Sequence, residues 1–179
     1  MRDEGKLLPL DLNQKRKMLC VTLTDEEERG VMLPFLSELR RRVLQVESIA
    51  YDSRSRFSEV DATRLQAQLD HAHVVILAIA VRTRSGKGSV GLPGLGDALL
   101  KQLMDSNLPM IAISFGNPYL LQAMPKAPVY LAAYSSVPVS QSAAARAILG
   151  DIEISGRLPV SLPGLYTRGH GIRVARKSQ

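Results

Sequence analysis

Apolar positions along the chain switch repeatedly between two periods. Short runs with the continuous or two-residue patterning of strands alternate with stretches repeating every three to four residues, as helices do. Met18 to Thr22 reads as a first strand, followed by Thr24-Asp25-Glu26-Glu27, a capping-box pattern. Gly30 and Pro34 interrupt the next stretch. This leaves either a kinked helix over 25–42 or one starting near Pro34, with Phe35, Leu36 and Leu39 inward and Arg40 to Arg42 at its negative end. Val43 to Tyr51 gives a second strand, and Ser58-x-x-Asp61 caps a helix ending near Asp70 whose inward stripe is Ala62, Leu65 and Leu69. His73 to Val81 is almost continuously apolar, as a strand buried on both faces of a parallel sheet must be, so it is expected at the centre.

Glycines at 86, 88, 91 and 94 make Arg82 to Gly94 a long loop. A helix follows, with Leu95, Ala98, Leu99 and Leu103 inward, stopped by Asn107-Leu108-Pro109. Met110 to Phe115 and Val129 to Tyr134 are further strands. Ser140 is the expected cap of a helix over Gln141 to Leu149, with Gly150 closing it. Leu158 to Leu162 is expected as the last strand, placed at an edge by Pro159. This order predicts the α/β class: a three-layer α/β/α sandwich around a mostly parallel sheet of five or six strands. The expected organisation is an opening segment over 1–16, one sandwich over 17–165 and a basic tail over 166–179.

Composition narrows the functional classes. At 179 residues, 45% apolar and 22% charged, the chain suits a single core that needs no staple. Cys20 is the sole cysteine, which excludes an intrachain disulfide and multi-cysteine metal sites. The longest apolar run, Val74 to Val81, falls far short of the ~18 residues of a membrane span, and the N-terminus lacks a secretory pattern, so a cytoplasmic chain is expected. The formal charge of +6 gathers in Lys15 to Lys17, Arg40 to Arg42 and Arg168 to Lys177. With no Trp, and with Phe35, Phe57 and Phe115 scattered, these runs lack the aromatic interleaving of a nucleic-acid surface.

In an open parallel sheet, ligands gather beyond the carboxyl ends of the strands. That rule selects Asp25, Asp52 with Ser53, the loop carrying Arg82, Arg84 and Lys87, Ser114 to Asn117, and Tyr134 to Ser136. Gly86-Lys87-Gly88-Ser89-Val90-Gly91 matches G-x-G-x-x-G, but it opens a long loop after the third strand. No acidic residue ends the next strand to hold a ribose, so no dinucleotide cofactor is expected. Walker A spacing is absent as well. His71, His73 and His170 are too scattered for a metal site, and Ser114 lacks a nucleophile elbow.

Several segments, taken in order, resemble the C-terminal α/β sandwich domain of glycoside hydrolase family three. They are Gly5-Lys6-Leu7-Leu8-Pro9-Leu10, Ile113-Ser114-Phe115-Gly116-Asn117-Pro118-Tyr119, Ala143 to Gly150, and Gly156-Arg157-Leu158-Pro159-Val160-Ser161-Leu162-Pro163. The ending Pro163-Gly164-Leu165-Tyr166-x-Arg168-Gly169-His170-Gly171 is similar to that of the bacterial β-N-acetylglucosaminidase branch. The resemblance implies a partner, a (β/α)8 barrel in the same or a separate chain, carrying the Asp nucleophile and, in that branch, an Asp–His acid/base pair. In the β-glucosidase branch the sandwich can supply an acid/base Glu. The loop here offers Arg82, Arg84 and Lys87 with no Glu, which favours the barrel-supplied branch. The chain is therefore expected to hold no catalytic residue, cofactor or metal. Arg82, Arg84, Lys87, Ser114 and Asn117 are its candidate substrate or interdomain contacts, Asp25 and Asp52 the weaker ones, and carbohydrate a further partner. The competing readings are a stand-alone module binding a small sugar or an anion at its strand-end loops, and a basic interaction domain.

Overall fold

The computed structural model describes residues 2–11, 17–24, 30–53, 55–81 and 96–178. Its sheet has six strands: β1 (Arg2–Asp3), β2 (Met18–Thr24), β3 (Val46–Asp52), β4 (Val74–Ala80), β5 (Met110–Ser114) and β6 (Val129–Ala132). Helices α1 (Leu33–Arg42), α2 (Glu59–Leu69), α3 (Gly96–Asp105) and α4 (Pro138–Leu149) cover it, with a 3-10 turn over Pro118–Ala123. The strand order is β1-β6-β5-β4-β2-β3, all neighbours parallel except β1 against β6. The sandwich class and the mostly parallel sheet agree with the sequence pattern. None of the described helices is long and apolar enough to cross a membrane.

β4 is buried along its whole length and divides its side chains between two cores. Val75, Leu77 and Ile79 join Leu19, Val21 and Leu23 of β2 beneath α2 and α3. Val74, Ile76, Ala78 and Ala80 face the other way, into a core with Cys20, Phe35, Leu39, Ala145 and Ile148 under α1 and α4. Each fully buried Leu, Ile or Phe side chain stabilises the fold by about 1.5–3 kcal/mol. Burial pushes the Cys20 thiol up to about 12, so it acts as a small apolar filler.

Local chemistry sets most boundaries. Ser58 and Asp61 form the expected capping box at α2: Asp61 N–H donates to Ser58 Oγ (3.2 Å) and Ser58 N–H to Asp61 Oδ2 (3.0 Å). Asn107 takes φ 54° just beyond α3. The His73 ring serves the strand starts, its Nδ1 accepting the Lys17 N–H at 3.0 Å.

Two expectations change. Leu158 to Leu162 is not a sheet strand; the edge strands are Arg2–Asp3 and β3. Leu158 and Leu162 are still buried, so the apolar spacing reports packing onto the core. Their backbones pair locally instead, Leu158 N–H with His170 O (2.8 Å) and Leu162 N–H with Tyr166 O (2.7 Å). Helix α4 starts at Pro138, ahead of Ser140, since proline is preorganised for a first turn.

Neither α1 nor α4 has a side-chain cap of its own. Gln141 of α4 fills that role for α1: its Oε1 accepts the Phe35 N–H at 3.1 Å, while Nε2 donates to Val31 O and Ser136 O. The side chain is almost fully buried at 1% exposure, so every one of these groups depends on it. Replacing Gln141 with Leu should therefore lower the unfolding free energy by about 2–4 kcal/mol. Gln141→Glu keeps the acceptor but sets a carboxylate against two carbonyls. It should cost at least as much at pH 7 and recover partly at pH 4.5, where protonation restores a donor. Urea denaturation at the two pH values measures both.

Gly150 ends α4 at φ 86°, and an added Cβ would meet Pro9 Cβ and Lys177 Cγ, each at 2.8 Å. Gly164 has φ 77° with nothing within 4 Å of such an atom. Gly150→Ala should cost about 2–4 kcal/mol and Gly164→Ala only the conformational ~1 kcal/mol, as thermal or chemical unfolding of the two variants will compare.

Candidate functional site

The chain runs from β2 outward to β3, then back across β2 to β4 and on to β5 and β6. The order therefore reverses between β2 and β4, and the crevice of an open sheet lies at that switch, beyond Thr24 and Ala80. Of the residues expected there, Asp25, Arg82, Arg84 and Lys87 lie outside the described residues. Asp52 closes β3 in register with Thr24, and its carbonyl accepts the Ser55 N–H at 3.1 Å. Ser53 N–H donates to Thr24 O at 2.8 Å, which holds the two strand ends together.

Ser114 and Asn117 come together as one turn. Ser114 is fully buried, and its Oγ donates to Asn117 O at 2.8 Å. Asn117 Oδ1 accepts the Tyr119 N–H at 2.9 Å, capping the 3-10 turn. Tyr130 donates its hydroxyl to Pro118 O at 3.1 Å. Burial pushes the Tyr130 hydroxyl well above its usual range. These polar atoms thus hold β5, the turn and β6 in one arrangement, which is the geometry of support for a surface.

Beside this turn lies an open depression of about 430 Å³ lined by Ala80, Val81, Phe115, Gly116, Asn117, Pro118 and Ser136. None of these lining residues is a carboxylate, whereas retaining glycoside hydrolysis needs a nucleophilic carboxylate about 5–5.5 Å from a second carboxyl or an equivalent acid/base group. Among the described residues, no group of three or more His, Cys, Asp or Glu is placed to hold a metal.

The sequence patterns select Tyr134 but pass over other exposed apolar residues at this end. Leu33 opens α1, Val137 and Val139 flank the start of α4, and Tyr134 follows β6; they are 58%, 49%, 75% and 43% exposed. Gln141 ties the two helix starts together, so Leu33, Val137 and Val139 belong to one corner of the sandwich. Tyr134 sits at φ 62°, a left-handed conformation that costs a bulky residue about 1–3 kcal/mol. Periodicity missed the corner because isolated valines at a helix start look like ordinary core positions. The one available signal was the lack of a capping residue before either helix.

No curated protein sequence matches the chain. Solved structures do. A fungal multi-domain GH3 β-N-acetylglucosaminidase with a GCN5-related glucosamine N-acetyltransferase region aligns at 23% identity and TM-score 0.73, over 95% of this chain and 18% of that one. The β-glucoside phosphorylase BglX aligns at 24% identity and TM-score 0.62, over 84% of this chain and 27% of that one. A GH3 exo-β-xylosidase, XlnD, aligns at 18% identity and TM-score 0.68, over 89% and 23%. These likenesses establish the fold, and this chain spans from 18 to 27% of the lengths of the proteins it matches. The family model described as the glycosyl hydrolase family 3 C-terminal domain matches residues 1–172, nearly the whole sequence, and the chain belongs to that family.

Proposed function

We propose that this chain is the noncatalytic C-terminal domain of a β-N-acetylglucosaminidase-like glycoside hydrolase. It buttresses a (β/α)8 barrel, in the same or a separate chain, and flanks that barrel's substrate cleft. The observation that carries this reading is the family match over residues 1–172, joined to solved relatives of which the chain spans about a quarter or less. The exposed corner of Leu33, Val137 and Val139 suits it as a docking face, because large apolar side chains gathered at one end of a small domain favour burial against a partner. Arg82, Arg84 and Lys87 are assigned to a substrate oxygen or a barrel carboxylate, and Ser114 with Asn117 to the shape of the face. Carbohydrate contact and a cytoplasmic setting belong to the same reading. The β-N-acetylglucosaminide preference rests on the Pro163 to Gly171 ending and on the likeness to the fungal enzyme.

Two measurements test it. The purified 179-residue chain should give no enzyme-dependent hydrolysis of a chromogenic N-acetyl-β-glucosaminide. Reproducible turnover that substitutions in this chain abolish would overturn the noncatalytic assignment. In the protein that contains the barrel, or with the barrel added in trans, the pair Val137→Glu and Val139→Glu should weaken domain association or turnover at least about tenfold. The same pair should move the unfolding free energy of this domain by less than about 0.5 kcal/mol, as exposed positions do. Unchanged association and kinetics would remove the corner from the docking face.

A further inference from the structure

At the opposite end of the sandwich, four separate segments close around one polar pocket of about 930 Å³. Its lining includes Pro9 and Asp11 from the opening segment, Arg42 from the end of α1, Arg146 and Asp151 around the end of α4, and Arg176 from the tail. Lys177 also lines it and donates its ammonium to Leu10 O, fastening the tail to the opening segment. Lys177 N–H donates to Gly150 O at 2.8 Å, and Leu10 N–H to Ile148 O at 2.8 Å, so the walls are fixed by backbone bonds.

We propose that this basal pocket binds a compact multivalent oxyanion of the phosphate class, held by Arg42, Arg146 and Arg176. Four cationic side chains face two carboxylates there, which leaves the lining net positive. Asp151 is committed to orienting Arg42: its Oδ1 accepts from Arg42 Nη1 at 3.0 Å, and its Oδ2 is buried and accepts no hydrogen bond. Asp11 is likewise engaged in an interaction of its own. Arg146 and Arg176 have no ion-pair partner among the described residues, so their guanidinium forks remain available to an oxyanion.

Helix dipoles alone do not account for the arrangement. A cation near a helix C-terminus is favourable, which suffices for Arg42 at the end of α1 and Arg146 in the last turn of α4. Arg176 lies on the tail, outside any helix, yet it lines the same pocket. The lining carries no aromatic residue on which a base could stack, and the pocket volume falls in the range of small-molecule sites, which favours a small anion over a nucleic acid.

Calorimetric or NMR titration of the full chain with pyrophosphate and with inorganic phosphate, against sodium chloride at matched ionic strength, tests the site. Saturable binding of pyrophosphate is expected, stronger than that of phosphate and weakened by added salt. The double variant Arg146→Gln, Arg176→Gln should lose at least about tenfold in affinity with its unfolding midpoint retained. Asp151→Asn should also weaken binding if the carboxylate positions Arg42; tighter binding would show that it acts only as a repelling charge and would overturn its positioning role. Absence of saturable binding at millimolar anion, or equal affinity in the double arginine variant, would overturn the site. Neither outcome bears on the barrel-supporting reading, which rests on the family match and places its docking face at the other end of the molecule.

Discussion

Strand β4 has no face left for water, and the architecture follows from covering both of its sides. Its seven consecutive buried residues alternate between two cores, so a single helical layer would leave half of them exposed. α2 and α3 close one side, with Gln102 of α3 donating to Ala62 O (2.9 Å) and to Gln66 Oε1 (3.2 Å) of α2. α1 and α4 close the other, joined through Gln141. Parallel neighbours then require crossovers, and these send the connections after each strand to one end of the sheet. The location of the crevice is thus a consequence of how β4 is buried.

That chain of causes also explains what could be read in advance. The period of the apolar residues carried β2 to β6 and all four helices, because burial on two faces leaves a local record in each segment. Ser58 with Asp61, and Asn107, were legible for the same reason: their partners lie within three or four residues. Three features depend on distant partners and left no such record. The two-residue strand Arg2–Asp3 is too short to show a period and exists only because the edge of β6 accepts it. Leu158 to Leu162 stay out of the sheet, with Leu158 bonded to His170 across the closing segment and both leucines packed onto the core. Gln141 looks like an ordinary polar residue in an alanine-rich helix, yet its bond to Phe35 spans 106 positions.

For the candidate site, sequence reasoning pointed to the carboxyl end of the sheet and named Ser114 and Asn117, which the fold brings together in one turn. Their roles were less legible than their positions. A serine at a strand end is equally compatible with a nucleophile or a structural bond, and only the 2.8 Å contact to Asn117 O shows where its proton goes. The apolar corner was harder still, since exposure is a property of the assembled helices. Leu33, Val137 and Val139 become one surface only when two helix starts are pinned side by side.

The two ends of the sandwich consequently differ in kind, and the helices are the reason. In a parallel α/β layer the helix C-termini lie at the end where the strands begin, and two of them carry basic residues there: Arg40, Arg41 and Arg42 in the last turn of α1, and Arg146 in that of α4. A domain that buried the corner against a barrel would keep its basic end facing away from the joint. The same separation lets the basal pocket be titrated, and the corner be charged, without either change acting directly on the other. Gly150 marks the limit of that independence. With Pro9 and Lys177 packed against it, any side chain there would shift the opening segment and the tail together, and these carry both the pocket wall and the start of the edge strand.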